Sequence, residues 1–400
     1  MVSESPIRVG IPISTFVLGS GLPGIDKYTY NLILALERHG GVRVTVFQEK
    51  HRSNGSFERF DICYFPILKE LFGLKRRDHP ALDRASVEIE RSGKKKASAF
   101  GNLRRDIVKS LVYLSKGVDV IHYPTHMENP LPIRFSRTVL TFHDLVPLVH
   151  PETSTAEIIA SFNRCVGRLR HVDALITVSE FTKNEMIGKL GISPDKITVC
   201  YHGVDPSFFV TEVREEVVRK YSGGSPYILF VGTLEPRKNV ESLLEAYRAI
   251  DVPGLRILLV GKEGWGIRRI REKVRELGLD ERVSFLGYVP EDDLPSLYRG
   301  AEVFVYPSLY EGFGIPVLEA MAAGAPVITS RVASLPEVTS DAAILVSPMD
   351  IHGIAEAIRG ILKNRSLREA LGAKGPRRAR TFTWDRCARD VLAVYRRELS

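Results

Sequence analysis

Short runs of β-branched and apolar residues recur along the chain, and between them the apolar positions fall at helical spacing. Ile7 to Ile13 (IRVGIPI) reads as a first, buried strand. A loop from Ser14 to Gly24 follows, then an amphipathic helix from about Ile25 to Arg38 and a second strand, Val42 to Phe47. Farther on, Val118 to Tyr123, Thr138 to His143 and Ala174 to Val178 predict strands. Ala156 to Leu169 and Glu180 to Leu190 predict helices between and after them. The alternation then restarts. New strands are expected at 227–231, 256–260, 283–286, 303–306, 327–329 and 343–346. Helices are expected at about 239–249, 266–277, 315–323, 351–363 and 366–374, with a long one from Trp384 to Leu399. Strand alternating with helix predicts an α/β protein with parallel sheets.

Four hundred residues are too many for one core, so the restart marks a second domain. The stretch Phe208 to Gly224 is polar and charged, runs into Ser222-Gly-Gly-Ser-Pro226, and reads as the boundary. The expected organisation is a first domain over 1–207, a second over 225–380, and a terminal helix over 384–400. No repeat of 20–50 residues interrupts this pattern.

The balance of apolar (44%) and charged (26%) residues is that of an ordinary globular protein, which turns attention to where the charge lies. The net charge is +8, and residues 69–116 carry 13 Lys and Arg against 6 Asp and Glu, nearly the whole surplus. Apolar residues at 68–72 and 107–114 lie beside it. Three readings stand for this basic insertion: a solvated segment, a contact with an anionic membrane or lipid-linked acceptor, and nucleic acid. No nucleic-acid motif accompanies the charge, so nucleic acid is not expected as a partner. Met1 to Pro6 has no basic, apolar leader pattern, and no run reaches the ~20 apolar residues of a spanning helix. Cys63, Cys165, Cys200 and Cys387 form no C-x-x-C pair and read as buried free thiols. A cytoplasmic location, peripheral at the inner membrane face, is the expectation.

The densest chemical signal is Glu311-Gly-Phe-Gly-Ile-Pro-Val-Leu-Glu319, after the strand at 303–306 and at the start of a small-residue helix. Carboxyl ends of parallel strands are where open α/β sheets bind ligands. Gly312 and Gly314 allow close backbone approach, and the helix start adds positive partial charge. Pro316 suits the first helical turn. Such a loop can hold phosphate while Glu311 and Glu319 accept hydrogen bonds from hydroxyls, which together describe a sugar nucleotide. Gly232-Thr-Leu-Glu-Pro-Arg-Lys-Asn239 ends the first strand of the second half. Arg237 and Lys238 suit a diphosphate, and Asn239 is placed to cap the next helix. His143 ends a strand and can reach a hydroxyl or phosphate, or serve structurally; Asp144 beside it is placed to orient the imidazole. His122 and His126 read as structural. Ser179 reads as a helix N-cap.

Gly19-Ser-Gly-Leu-Pro-Gly24 has the G-x-G-x-x-G spacing of a dinucleotide loop. Five residues separate it from its strand, and Pro23 precedes the third glycine. A structural turn, a loop near donor phosphate through Gly21 and Gly24, and an NAD site all remain open. Trp265 reads as packing rather than base stacking.

The segment E-G-F-G-I-P-V-L-E-A-M-A-A-G-A-P-V-I resembles the retaining glycosyltransferases of family 4, which have the two-Rossmann GT-B architecture. The resemblance is strongest over residues 225–350. It implies two Rossmann-like parallel-sheet domains facing across a cleft, with the last helix crossing back to the first. It implies a nucleotide-sugar donor on the second domain and a glycan or lipid-linked acceptor on the first. By resemblance, His143, Glu311, Arg237 and Lys238 form the catalytic set. Donor contacts fall on Gly21, Gly24, Gly232, Tyr288, Val289, Gly312, Phe313, Gly314, Ile315 and Glu319, with Tyr288 and Val289 at the nucleobase. Asp144, Gly203 and Asp205 line the acceptor side. The wording T-L-E-P-R-K-N with E-G-F-G-I-P is closest to the mannosyltransferase branch, so GDP-mannose is the first expected donor. UDP-glucose and UDP-N-acetylglucosamine are the alternatives, and an NAD-dependent sugar-nucleotide enzyme is a more distant one. The chain contains no D-x-D, so no metal or other cofactor is expected.

Overall fold

The computed structural model describes residues 5–13, 24–48, 61–64, 113–114, 116–128, 130–131 and 135–400. Most of the basic insertion, and Gly21 with the loop before Gly24, lie outside these residues. Two all-parallel sheets organise the chain. The first has seven strands: β1 (Ile7–Ile13), β2 (Val42–Gln48), β3 (Asp61–Tyr64), β4 (Val120–Tyr123), β5 (Arg137–Phe142), β6 (Ala174–Thr177) and β7 (Ile197–Val199), in the order β3-β2-β1-β4-β5-β6-β7. The second has six: β8 (Tyr227–Val231), β9 (Arg256–Val260), β10 (Val283–Gly287), β11 (Val303–Tyr306), β12 (Val327–Ser330) and β13 (Ile344–Val346), ordered β10-β9-β8-β11-β12-β13. In both, the order reverses beside the first strand, which creates a switch point at the carboxyl ends of β8 and β11 in the second sheet.

Central strands are apolar along their whole length because helices cover both faces. Every residue of β4, β6, β11 and β12 is buried. The hydrophobic rhythm predicted most elements to within a residue or two. It passed over β3 and β7, which are short. It also read Phe208 to Gly224 as a plain boundary. A helix, Glu215–Ser222, occupies part of it, burying Val217 and capped by Gly223 at φ 65°. The short helices Leu294–Arg299 and Leu335–Thr339 were likewise unforeseen, each too brief to show a period.

The chain divides into two compact units: Met1–Thr141 with Asn163–Ala174 and Val394–Ser400, and Phe142–Phe162 with Leu175–Ala393. Residues 142–162 and 175–207, which belong to the first half by sequence, therefore share a unit with the second sheet. In the first unit a chain of buried polar groups crosses the core. Tyr395 OH lies 2.6 Å from His122 Nδ1, His122 Nε2 lies 2.8 Å from Thr141 Oγ1, and Tyr28 OH lies 3.0 Å from Thr141 Oγ1. This chain fastens the end of the terminal helix, Trp384–Leu399, to β4 and β5, and gives His122 the structural role its position suggested.

In the second unit, Ser179 caps the helix Glu180–Leu190 by accepting from Thr182 N–H, as its position predicted. The carboxylate of Glu337 reinforces that helix start, accepting from the N–H groups of Glu180 (2.8 Å) and Phe181 (3.1 Å) and from Tyr201 OH (2.6 Å). Cys165, Cys200 and Cys387 are buried free thiols.

Gly203 lies under the first turn of the terminal helix. A Cβ there would sit 2.2 Å from Trp384 N and 2.6 Å from the Thr383 carbonyl carbon, both backbone atoms. The residue is glycine because two stretches of main chain touch. Gly203→Ala should destabilise the protein by about 1–3 kcal/mol through overpacking, read as a lower urea midpoint. An unchanged midpoint would show that the terminal helix start yields without cost.

Candidate functional site

The carboxyl ends of β8 and β11 carry the residues singled out by sequence. After β8 the chain turns at Gly232 (φ 155°), whose carbonyl would lie 2.1 Å from a Cβ on Gly261. It then forms a single 3₁₀ turn, Pro236–Lys238, that Pro236 favours at its first position. Asn239 follows at φ 54° in the left-handed region. It sits where a cap belongs but does not cap the helix Val240–Ile250 with its side chain. Instead its Nδ2 donates to the carbonyls of Pro307 (3.1 Å) and Pro348 (2.6 Å), and its Oδ1 accepts from Ser242 Oγ (2.8 Å). The left-handed turn aims the side chain away from the helix start, so Asn239 ties the β8 loop to the β11 loop.

That loop geometry delivers Arg237 and Lys238 to Glu311. Lys238 Nζ donates to Glu311 Oε1 (2.6 Å) and to Tyr306 OH (2.6 Å). Tyr306 OH and Ser308 Oγ donate to the same Oε1 at 3.1 and 2.6 Å, and Arg237 Nη1 lies 3.1 Å from it. Four donors thus converge on one oxygen. Arg237 Nη1 also donates to the Tyr310 carbonyl (2.7 Å), and its Nη2 to Glu235 Oε1 (2.7 Å). Glu311 and Lys238 are both buried. Burial alone would push the Glu311 carboxyl up, but Arg237 and Lys238 outweigh it and hold the group at about 2. Burial and the neighbouring Arg237 push the Lys238 ammonium down from its ordinary value. Burial works against the charge on Arg237, and Glu311 with Glu235 more than restores it.

Gly312 follows. A Cβ on it would lie 1.9 Å from the His143 carbonyl oxygen. Its own carbonyl accepts from Ser179 Oγ at 2.7 Å. Gly312 is therefore glycine for packing against residue 143, a reason its motif did not reveal. Gly314, at φ 96°, opens the helix Ile315–Ala322, and its carbonyl accepts from the N–H groups of Val317 (3.0 Å) and Leu318 (3.2 Å). Ser334 Oγ donates to the Glu311 carbonyl and fixes the turn. One turn of helix beyond, buried Glu319 accepts from Tyr298 OH (3.0 Å).

His143 is buried, its ring edge-on to His202 at 5.4 Å. Asp144 follows it in the chain. Its Oδ1 accepts from Val146 N–H (3.0 Å), because the chain turns into a short helix there. Phe313 packs in an aromatic cluster with His202 (4.9 Å) and Phe382 (5.6 Å). Val289 is buried and Tyr288 is 59% exposed. Trp265, expected to pack, is exposed instead, because Gly264 and Gly266 press against Leu234 and Pro236 and leave the loop tip outside. Gly24 begins the helix Gly24–His39. Asp205 accepts from Ser207 N–H and starts a 3₁₀ turn, and Gly203 serves the terminal helix. Structure thus groups Arg237, Lys238, Glu311, Gly312 and Gly314 at the adjacent ends of β8 and β11. Sequence reasoning missed Glu235, Tyr306, Ser308 and Tyr310. Tyr306 and Ser308 flank Pro307 at the end of β11, a signal that strand-end polar residues face the switch point.

The glycosyl transferases group 1 model matches residues 214–378, and the glycosyltransferase family 4 model matches residues 23–208. O-antigen chain mannosyltransferase B of Escherichia coli is 35% identical over 273 residues, 66% of this chain and 72% of that one. Serotype-specific mannosyltransferase WbdA of Escherichia coli is 28% identical over 328 residues, 78% of this chain, which spans only 40% of that longer protein. Sucrose-phosphate synthase from Thermosynechococcus elongatus has the same fold, with a TM-score of 0.74 at 20% identity over 98% of both chains. HepE of Anabaena, solved with UDP and glucose, superposes with a TM-score of 0.73 at 17% identity over 97% of this chain and 99% of that one. Two matched models covering most of the chain, on a GT-B fold whose second sheet presents the E-x7-E loop, place this protein among the family 4 glycosyltransferases, as a hexosyl-transferring enzyme.

Proposed function

We propose that the protein transfers a mannosyl group from GDP-mannose to a glycan or lipid-linked acceptor of a surface polysaccharide, with retention and without a metal. The observation that carries this is the charge-locked cluster of Arg237, Lys238 and Glu311 beside the Gly314 helix start. The mannosyltransferase relatives support the sugar. Family membership removes the NAD-dependent reading. UDP-glucose and UDP-N-acetylglucosamine stay as alternative donors, since HepE was solved with UDP and glucose.

In this reading the leaving diphosphate sits where the helix start and the two cations meet. Arg237, the remaining Lys238 N–H and the helix dipole offset its growing charge, which is the main contribution to rate. Glu311 stays ionised, its Oε1 fixed by four donors, so Oε2 is the oxygen presented to sugar hydroxyls. Glu319 binds ribose, and His143 lies near the reacting carbon. Tyr288 and Val289 meet the base. The basic stretch 69–116 meets an anionic surface or lipid-linked acceptor, consistent with a peripheral location. Among the described residues, no helix is long and apolar enough to cross a membrane.

Arg237→Ala removes one charge-assisted contact and should weaken nucleoside-diphosphate binding about tenfold to a hundredfold. Calorimetry with GDP and UDP on the folded variant checks this, and unchanged affinity would reject the diphosphate assignment. Turnover with GDP-mannose should survive saturating EDTA. Loss that magnesium or manganese restores would count decisively against metal independence. Glu311→Gln leaves buried Lys238 without its carboxylate partner and Arg237 with Glu235 alone, so both kcat and the urea midpoint should fall. Glu319→Gln keeps an acceptor for Tyr298, so KM should carry most of its effect. Equal kcat losses in the two variants, measured by steady-state kinetics, would show that Glu319 does not serve the ribose.

A further inference from the structure

Three acceptors already engage the guanidinium of Arg237, on both of its terminal nitrogens. Nη1 serves the Tyr310 carbonyl and Glu311, and Nη2 serves Glu235 at 2.7 Å. Two cations, Arg237 and Lys238, face two carboxylates, Glu311 and Glu235, and Asp144 adds a third negative charge to the surroundings of Arg237. The cluster is neutral or negative before any ligand arrives. A diphosphate brings about two further negative charges into a buried setting, where uncompensated charge is costly. Withdrawal of one carboxylate from Arg237 when phosphate binds relieves that excess.

Burial and partner number decide which. Glu311 is nearly enclosed and takes four donors on one oxygen. Glu235 sits in the turn before Pro236, its side chain 20% exposed, and Arg237 is its hydrogen-bond partner. Water can solvate Glu235 if it lets go, and cannot do the same for Glu311. A carboxylate on one edge of a guanidinium also has the fork geometry of a phosphate. We propose that Glu235 is a built-in competitor for the donor diphosphate: it occupies the Nη2 edge of Arg237 in the free enzyme and is displaced when the nucleotide binds. Glu235 thereby lowers affinity for any phosphate-bearing ligand. It keeps the arginine aligned while limiting retention of the spent nucleoside diphosphate.

This proposal rests on the assignment of Arg237 to the donor phosphates, and the test separates the two. Calorimetry would compare GDP and UDP with guanosine and uridine, which lack phosphate, on wild type, Glu235→Gln, Glu235→Ala and Arg237→Ala. Removing the competing charge should tighten diphosphate binding about three- to thirtyfold in both Glu235 variants and leave nucleoside binding unchanged. The inhibition constant of GDP against GDP-mannose turnover should fall in parallel. A variant that merely lost structure would weaken every ligand, so the opposite sign of the effect distinguishes competition from damage. If Arg237→Ala weakens diphosphate binding but the Glu235 variants bind it equally or more weakly, Glu235 is a supporting anion and the competitor proposal is overturned. If Arg237→Ala leaves diphosphate affinity unchanged, the phosphate assignment fails and the proposal falls with it. Glu235→Ala guards against a residual hydrogen bond from Arg237 to the glutamine carbonyl oxygen, since it leaves no acceptor at all.

Discussion

A buried carboxylate held by a buried lysine and a partly buried arginine governs the second half of this protein. Glu311 sits at the end of β11, and Arg237 and Lys238 come from the loop after β8, its neighbour in the sheet. None of the three is tolerable there alone, because desolvating a single charge costs several kcal/mol. Together they lock two strand ends into one geometry. Tyr306 and Ser308 complete the shell around Glu311 Oε1, and Ser334 holds its backbone. An enzyme that works by electrostatic stabilisation needs dipoles and charges fixed before the reaction. Here they are fixed by mutual neutralisation.

Close main-chain contacts set the remainder of the site. Gly312 lets its backbone lie against the His143 carbonyl, and Ser179 Oγ then reaches the Gly312 carbonyl. A side chain at 312 would push residue 143 and the helix start of 315–322 apart. Glu337 holds the start of the helix Glu180–Leu190 from another direction. These contacts explain why residues 142–162 and 175–207 group with the second sheet: their backbone is pinned to loops that follow β11 and β12.

The E-x7-E segment joins these two constraints. Its first glutamate belongs to the charge cluster, its first glycine to the backbone contact, its second glycine to the left-handed helix start, and its last glutamate to the helix interior beside Tyr298. Each position has a reason in the free protein, before any nucleotide is considered. The same segment then presents an ionised carboxylate and a helix dipole beside the two cations of the β8 loop, at two adjacent strand ends.

Periodicity alone determined the alternation of strands and helices, the restart that marks two sheets, and the helix over 384–399. Those follow from which faces must be apolar, and apolar spacing is written along the chain. Arg237, Lys238 and Glu311 stood out in the sequence because charged residues at strand ends contrast with apolar strands, and Glu319 because it interrupts an otherwise apolar helix. Short elements such as β7 and Glu215–Ser222 were not, being briefer than a period. Only tertiary structure decided that Asn239 would bridge two loops instead of capping a helix, that Asp144 would cap Val146, that Gly203 and Gly312 would serve main-chain contacts, and that Glu235 would hold Arg237. Each of these depends on which atoms from distant segments come within 3 Å of one another. Local spacing sets what a residue can do; the partner that long-range folding brings to it sets what it does.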